Sequence, residues 1–302
     1  MMEEKKQEGM LHHERCPICK SETIEFALSA NSYRTDNQRF DVFQCKVCTH
    51  KFTNPVPDEH SIGEYYKSEN YISHTNANKS LFDKAYQTVK SISLDKKEKL
   101  LLKHCVNKNV EFLDYGAGTG SFVNHLDERG WNVLGIEISK EARGQSAKGH
   151  LLFDVEKLNE LKRESLSGFS MWHVLEHIYE PEVLLNRFAD KMKKGAVGLI
   201  AVPNNDSWDA KHYGPDWAAL DLPLHFSHFS KRSMSTLIER TNLDLIDVER
   251  MPFDAYYISM LSEANKNAAL SSVKGVFNGL LSNIKGIKSN NTSSVIYVVK
   301  KV

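Results

Sequence analysis

Three groups of residues in this 302-residue chain have types and spacings that suit chemistry. They are two C-x-x-C pairs, glycines at alternate positions behind an aspartate, and histidines in an aromatic loop. Cys16-Pro-Ile-Cys19 and Cys45-Lys-Val-Cys48 are separated by 25 residues. A C-x-x-C turn presents two thiolates on one side, and two such turns complete a tetrahedral four-sulfur site for Zn²⁺. Four thiolates fill the coordination sphere and leave no position for water, so the expected zinc is structural. His12, His13 and His50 lie nearby and are not needed as ligands. Cys105 stands alone on a helical stretch and reads as a small buried hydrophobe.

Residues 110–120 read Val-Glu-Phe-Leu-Asp-Tyr-Gly-Ala-Gly-Thr-Gly, an apolar strand that ends at Asp114 and breaks into Gly116, Gly118 and Gly120. Glycines at this spacing let the backbone turn and approach a ligand, and the amides of the helix that starts at Ser121 face the same space. A dinucleotide fingerprint wants a third glycine where Ser121 stands. Glu137 ends the next strand, Asn132-Val-Leu-Gly-Ile-Glu-Ile-Ser, about 20 residues past the turn, the usual separation for a carboxylate that grips ribose hydroxyls. Asp154 ends a third strand, Leu151-Leu-Phe-Asp, and suits an adenine amino group. Three acids at three strand ends around one glycine turn fit an adenosine without a pyrophosphate.

The elements that must position these residues form an α/β chain. Trp172-His-Val-Leu-Glu-His-Ile closes a fourth strand, and Gly195-Ala-Val-Gly-Leu-Ile-Ala-Val-Pro-Asn is a fifth. A helix at Ser235-Thr-Leu-Ile-Glu-Arg, a sixth strand over 242–250 and a seventh from Ser294 complete the core. Residues 58–108 carry helical patterning. Asp58 is a cap, Ile62, Tyr65 and Tyr66 share one face, Leu81, Phe82, Ala85, Tyr86 and Val89 recur at spacings of three and four, and Leu100-Leu-Leu closes a further helix. Tyr65, Tyr66 and Tyr71 are placed to touch ligand or to pack this cap on the core. Residues 252–292 form an insertion with helical runs near Val273 and Leu280; beyond Glu263 the chain has six lysines and no acid. That run reads as a solvated face, the alternative being a weak docking face for an anionic partner or membrane surface.

Taken in order, these motifs resemble the class I S-adenosylmethionine-dependent methyltransferases over roughly residues 109–302. The resemblance implies a Rossmann-like, mostly parallel seven-stranded sheet of order 3-2-1-4-5-7-6, the last strand inserted antiparallel. It implies a cofactor set of Asp114, Gly116, Ala117, Gly118, Gly120, Glu137, Ile138, Asp154, Val155, Trp172 and His173. Ser167 departs from the family, which often has an aspartate at the start of the fourth strand. Small N-terminal zinc modules also precede some bacterial methyltransferases, including sugar C-methyltransferases. The organisation expected is a zinc ribbon over 1–57, a helical cap or linker over 58–108, and a methyltransferase core over 109–302 with insertions at 203–230 and 252–292.

Residues 203–230 follow the fifth strand and are too long for an ordinary strand-to-helix connection. They hold Trp208, Trp217, Tyr213, His212, His225 and His228, which suits a small-molecule pocket with aromatic walls, or else a self-packed loop. An alcohol, phenol or carbon acid must lose a proton before it accepts a methyl group, and histidine is the natural base. His225 is the first candidate, His228 the second, on what reads as a first helical turn, and His177 the third. In the sugar C-methyltransferases a histidine in a comparable loop follows an acid and acts as the base. Here Leu224 precedes His225, and those enzymes carry a further C-terminal domain, so an oxygen or nitrogen acceptor is favoured over carbon.

Lys and Arg number 39, as do Asp and Glu, giving a formal net charge of zero and no global attraction to nucleic acid. The N-terminus, Met-Met-Glu-Glu-Lys-Lys, reads as no signal peptide and no apolar run reaches membrane-spanning length, so a cytoplasmic protein without a membrane span is expected. The expected partner is a small-molecule methyl acceptor; the oligomeric state is open. Two other readings stand beside it: a nucleic-acid or protein methyltransferase whose ribbon recruits the substrate, and a non-catalytic cofactor-binding scaffold.

Overall fold

The computed structural model describes residues 9–33, 35, 38–66, 81–104, 108, 110–266 and 270–302, and over 81–90 the backbone alone. Tyr71 and Cys105 lie outside the described residues, as do the side chains of Leu81, Phe82, Ala85, Tyr86 and Val89.

In the N-terminal part, β1 (Met10–Leu11) pairs with β5 (Val56–Pro57), while β2 (Ile24–Asn31), β3 (Arg39–Cys45) and β4 (Lys51–Thr53) form an antiparallel ribbon. Two helices follow. Asp58 Oδ1 accepts the amide of Ser61 just ahead of α1 (Ile62–Tyr66), the capping role read for it. The separate helical runs expected further on are one continuous α2 (Leu81–His104), whose buried Leu101 packs with Phe112 and Leu126 of the core.

The core sheet contains β6 (Phe112–Tyr115), β7 (Val133–Ile136), β8 (Leu152–Phe153), β9 (Leu166–Trp172), β10 (Met192–Pro203), β12 (Leu243–Arg250) and β13 (Ser294–Lys301). Their order is β8-β7-β6-β9-β10-β13-β12, with parallel pairing from β8 to β10 and β13 antiparallel to both its neighbours. This is the expected order 3-2-1-4-5-7-6. β10 is buried from Ala196 to Pro203 because helices cover both sheet faces, which is why it reads as an uninterrupted apolar run. Ser167 sits at the start of β9, where its amide donates to Glu111 O and its hydroxyl accepts from Lys193.

Helices α3 (Ser121–Glu128), α4 (Lys140–Gly144) and α5 (Lys157–Glu160) connect the first strands, and α6 (Pro181–Lys191) leads into β10. The loop beyond β10 holds α7 (Trp208–Tyr213) and then β11 (Ser227–His228), which pairs antiparallel with β4. The segment read as the first helical turn at His228 is therefore a strand. The helix begins later, at α8 (Lys231–Ile238), where Ser230 and Ser233 form a capping box. Through β11 the loop beyond β10 adds an edge strand to the ribbon sheet. Phe40 and Val42 of the ribbon also pack with Trp217, Leu220 and Leu222 of the loop. The insertion is an antiparallel hairpin of α9 (Pro252–Asn265) and α10 (Ser271–Gly286).

Candidate active site

The glycine turn has the geometry that its sequence requires. Gly116 has φ 77°, and a Cβ there would lie 2.3 Å from Val174 Cγ2, so no other residue fits. Gly118 also has positive φ, 54°, but a Cβ on it would meet nothing within 4 Å. Its side-chain position is thus an open cradle, and a larger residue would fill it. The Gly118 amide donates to Glu137 Oε2 at 2.8 Å, and Ser139 N donates to Oε1 at 2.9 Å. Both bonds fix the Glu137 carboxylate beside the turn. Arg143 ties the next strand end to it, donating to the carbonyl of Glu137 while its Nη2 lies 3.0 Å from Asp154 Oδ2. Ile138 is 74% exposed next to Glu137. Ala117 and Val155 pack partly buried at the edges of the two core clusters.

Asp114 is fully buried behind the turn and accepts a hydrogen bond from Ser170 Oγ at 2.6 Å. Burial raises its pKa from 3.8 to about 6, against the opposing pull of Ser170 and Lys97. Lys97, on α2, carries its ammonium 4.2 Å from the centroid of Trp172, whose ring packs edge-on against Phe122. Burial lowers the Lys97 pKa, and Asp114 and Asp254 hold it up. The sequence offered no sign of this lysine, which reads as one more polar residue on a helix.

His173 is forced into positive φ, 58°, as the chain leaves β9. Its Nε2 meets Asp254 Oδ2 at 2.8 Å and its Nδ1 lies 3.4 Å from Glu176 Oε1. Burial opposes its charge, yet the two carboxylates prevail and raise its pKa to about 10. Asp254 belongs to the insertion, with nothing in the sequence to mark it.

Glu176 is completely buried, and beyond the His173 Nδ1 contact its carboxylate oxygens have no hydrogen-bond partner among the described residues. It forms one compact group with His177 and His225, its ligand-type atoms within 4.8 Å of theirs. The rings of His177 and His225 meet edge to face with centroids 4.6 Å apart. His177 Nδ1–H donates to Leu224 O and His225 Nδ1–H donates to Ala219 O, both at 2.9 Å. With Nδ1 as the donor, a neutral imidazole in this orientation has its lone pair on Nε2. Burial, and then the neighbouring His225, press the His177 pKa down to about 4, so that ring is neutral near pH 7. Tyr66 OH also approaches His177 Nδ1, at 3.5 Å, whereas Tyr65 packs on Phe40.

His228 is placed differently. It is buried in β11 with Nε2 3.1 Å from Thr53 Oγ1, and the same hydroxyl donates to His225 O at 2.6 Å. Burial and the neighbouring His225 and His50 keep its pKa well below 6.5. It joins the ribbon to the loop, while His177 and His225 are the two candidates that the fold brings together.

One short segment connects the two halves of the site. Val174 packs against Gly116 of the turn, Glu176 O accepts the Phe226 amide, and His177 bonds to Leu224 O. Asp209 anchors the rest of the loop, accepting from Trp217 Nε1 at 2.8 Å, Ser282 Oγ at 2.6 Å and Ser293 Oγ.

The four cysteine sulfurs converge in the ribbon. Cys16 Sγ to Cys48 Sγ and Cys19 Sγ to Cys45 Sγ are each 3.5 Å, and all four atoms lie within 4.8 Å of one another. The two knuckles match: Lys20 N donates to Cys16 O, Thr49 N donates to Cys45 O, and Lys20 and Thr49 have φ 63° and 60°. A tetrahedral Zn²⁺ with Zn–S bonds of about 2.3 Å needs sulfurs about 3.8 Å apart, so the arrangement fits that ion.

A model described as a methyltransferase domain matches residues 82–248, more than half of the chain. The chain belongs to this methyltransferase family. No curated protein matches the sequence. Among solved structures, an S-adenosylmethionine-dependent methyltransferase from Archaeoglobus fulgidus is 18% identical, with 73% of this chain and 98% of that chain covered at a TM-score of 0.50. The geranyl diphosphate C-methyltransferase of Streptomyces coelicolor A3(2) is 12% identical, with 69% and 77% covered at a TM-score of 0.46. The first of these shares the fold.

Proposed function

We propose that the chain transfers a methyl group from S-adenosylmethionine to an oxygen or nitrogen of a small-molecule acceptor. The observation that carries this reading is the 173–177 segment, in which Val174 packs on Gly116 of the turn and His177, three residues on, meets the ring of His225. S-adenosylmethionine supplies an electrophilic methyl group on a sulfonium. Glu137 is aimed to accept from ribose hydroxyls, Asp154 and Ile138 to border the adenine, and Asp114 and Lys97 to meet the ammonium and carboxylate of the methionine part. Ala117, Gly120, Val155, Trp172 and His173 complete that side. His225 or His177 takes the acceptor's proton on Nε2, and the freed lone pair is then aligned for in-line attack. Glu176 balances the positive charge that this proton brings into the buried cluster.

Cys16, Cys19, Cys45 and Cys48 hold a structural Zn²⁺ in this reading, and the chain divides into a ribbon (1–57), a cap (58–108) and a core (109–302). The pairing of β4 with β11, and the Thr53 bonds to His225 O and His228, favour a ribbon that shapes the acceptor loop over one that recruits a macromolecule.

The test is incubation of zinc-loaded protein with methyl-labelled S-adenosylmethionine and cell extract, separated into dialysable and retained fractions. Label should move from S-adenosylmethionine into new dialysable products, resolved from the cofactor by chromatography. His225→Ala should lower that transfer by about 10²–10⁴-fold with cofactor affinity unchanged. Label confined to retained protein or nucleic acid would overturn the small-molecule reading.

A further inference from the structure

Helix α10 is built inside out. Its buried positions are Gly275, Gly279, Ser282, Asn283 and Gly286, whereas Val273, Val276, Phe277, Leu280, Ile284 and Ile287 are all exposed, Phe277 by 63%. At roughly 100° per residue, the six apolar side chains fall within an arc of about 100°. An ordinary surface helix turns such a stripe toward the core.

The inner face prevents α10 from doing so. A Cβ on Gly275 would lie 2.4 Å from Met260 Cα, and one on Gly279 would lie 2.7 Å from Tyr256 Cα, so the two helix backbones touch and only glycine fits between them. Polar bonds then lock the rotation. Ser282 Oγ donates to Asp209 at 2.6 Å, Asn283 Nδ2 donates to Pro252 O at 2.9 Å, and Asn278 Nδ2 donates to Tyr213 OH at 3.0 Å and to Glu263 at 2.9 Å. The apolar stripe is therefore held outward, a contiguous patch of the kind that marks an interaction surface.

The charge around the stripe identifies its partner. Lys274 and Lys288 are exposed along one flank, while Lys266, just past α9, and Lys285 carry their ammonium groups 4.9 Å from the Tyr213 ring and 4.4 Å from the Trp208 ring. The only acids of the hairpin are Asp254 and Glu263. Both point inward, the first to His173 and the second to Tyr213 and Asn278. From residue 264 onward the sequence contains no acid. A second copy of this face would bring lysines against lysines with no carboxylate to pair them. An apolar stripe flanked on one side by exposed lysines complements an anionic lipid surface, where the helix lies in the headgroup plane. Among the described residues no helix is long and apolar enough to cross a membrane.

We infer that the outward face of α10 docks this protein on anionic lipid bilayers. Docking would turn the hairpin that contributes Asp254 to the site, and that braces the acceptor loop through Asp209, toward the headgroups.

The test is co-sedimentation of the full-length, zinc-loaded protein with vesicles of phosphatidylcholine alone or mixed with phosphatidylglycerol. The wild type should pellet with the mixed vesicles, less so as salt is raised, and stay in solution with phosphatidylcholine. Phe277→Asp/Ile284→Asp, and separately Lys274→Glu/Lys288→Glu, should weaken binding by at least about tenfold. Unchanged zinc content and thermal unfolding would show that these variants fold. A wild type that remains in solution with anionic vesicles overturns the inference. So does a wild-type dimer that ignores vesicles and dissociates on Phe277→Asp/Ile284→Asp, since the face would then join copies of this chain.

Discussion

Replacing Asp114 with asparagine should make the free protein more stable and leave it unable to hold its cofactor. Asp114 is buried, and its carboxyl keeps its proton up to a pKa of about 6, against 3.8 in the exposed state. Between those two pH values the folded chain holds a proton that the unfolded chain has released. Stability therefore falls as pH rises from about 4 to 6 and stays lowered above that. At 1.36 kcal/mol per pH unit, Asp114 costs about 3 kcal/mol at pH 8, where it is ionised, and about half of that at pH 5, where the folded chain must hold its proton. Asparagine never ionises and keeps an acceptor oxygen for Ser170. Urea denaturation of the two zinc-loaded proteins should thus show Asp114→Asn more stable by up to about 3 kcal/mol at pH 8, with the gain roughly halved at pH 5. In parallel, wild-type affinity for S-adenosylhomocysteine should weaken below pH 6, as the carboxylate that meets the ammonium takes up its proton. A variant that is no more stable than wild type at pH 8, or a gain that is the same at both pH values, would refute the reasoning.

Gly118→Val places a branched side chain in the open cradle at positive φ; it should cost about 1–2 kcal/mol in stability and weaken S-adenosylhomocysteine binding more than tenfold, read by calorimetry. Cys45→Ser should drop bound zinc from one per chain to near zero by atomic emission and lower the thermal midpoint, because the ribbon strands that pair with β11 lose their anchor. His177 and His228 are buried neutral, so the unfolded chain takes up their protons below pH 6.5; their contribution to stability should fall as pH drops from about 6.5 toward 4, opposite in sign to that of Asp114. His177→Gln should flatten that acid limb by about one proton in the pH dependence of unfolding, and an unchanged slope would remove His177 from the account.

The core was legible because each of its signals is local. The run from Ala196 to Val202 is apolar enough to be buried on both faces, and the glycine turn with Glu137 follows from spacing along one stretch of chain. The strand order came with the family resemblance. What escaped depends on partners far apart in sequence. The two-residue strand β11 carries too little pattern to separate it from a helical turn, and only its pairing with Lys51 and Phe52 makes it a strand. Lys97 and Asp254 look like ordinary helix residues until α2 and α9 pack beside Trp172 and His173. Glu176 lay inside a segment already singled out, yet its lack of hydrogen-bond partners beyond the His173 contact appears only when its surroundings are known. The runs near Val273 and Leu280 announced a helix but not which face turns inward; Gly275 and Gly279, through contact with α9, decide that.

The central claim is that the glycine turn and the acids around it bind S-adenosylmethionine. Titration calorimetry of zinc-loaded protein with S-adenosylmethionine and S-adenosylhomocysteine, beside Glu137→Ala, tests it most directly. One site per chain with micromolar affinity, lost in Glu137→Ala while the fold is kept, is the predicted result. No heat of binding from well-folded, zinc-loaded wild type with either compound would contradict the account.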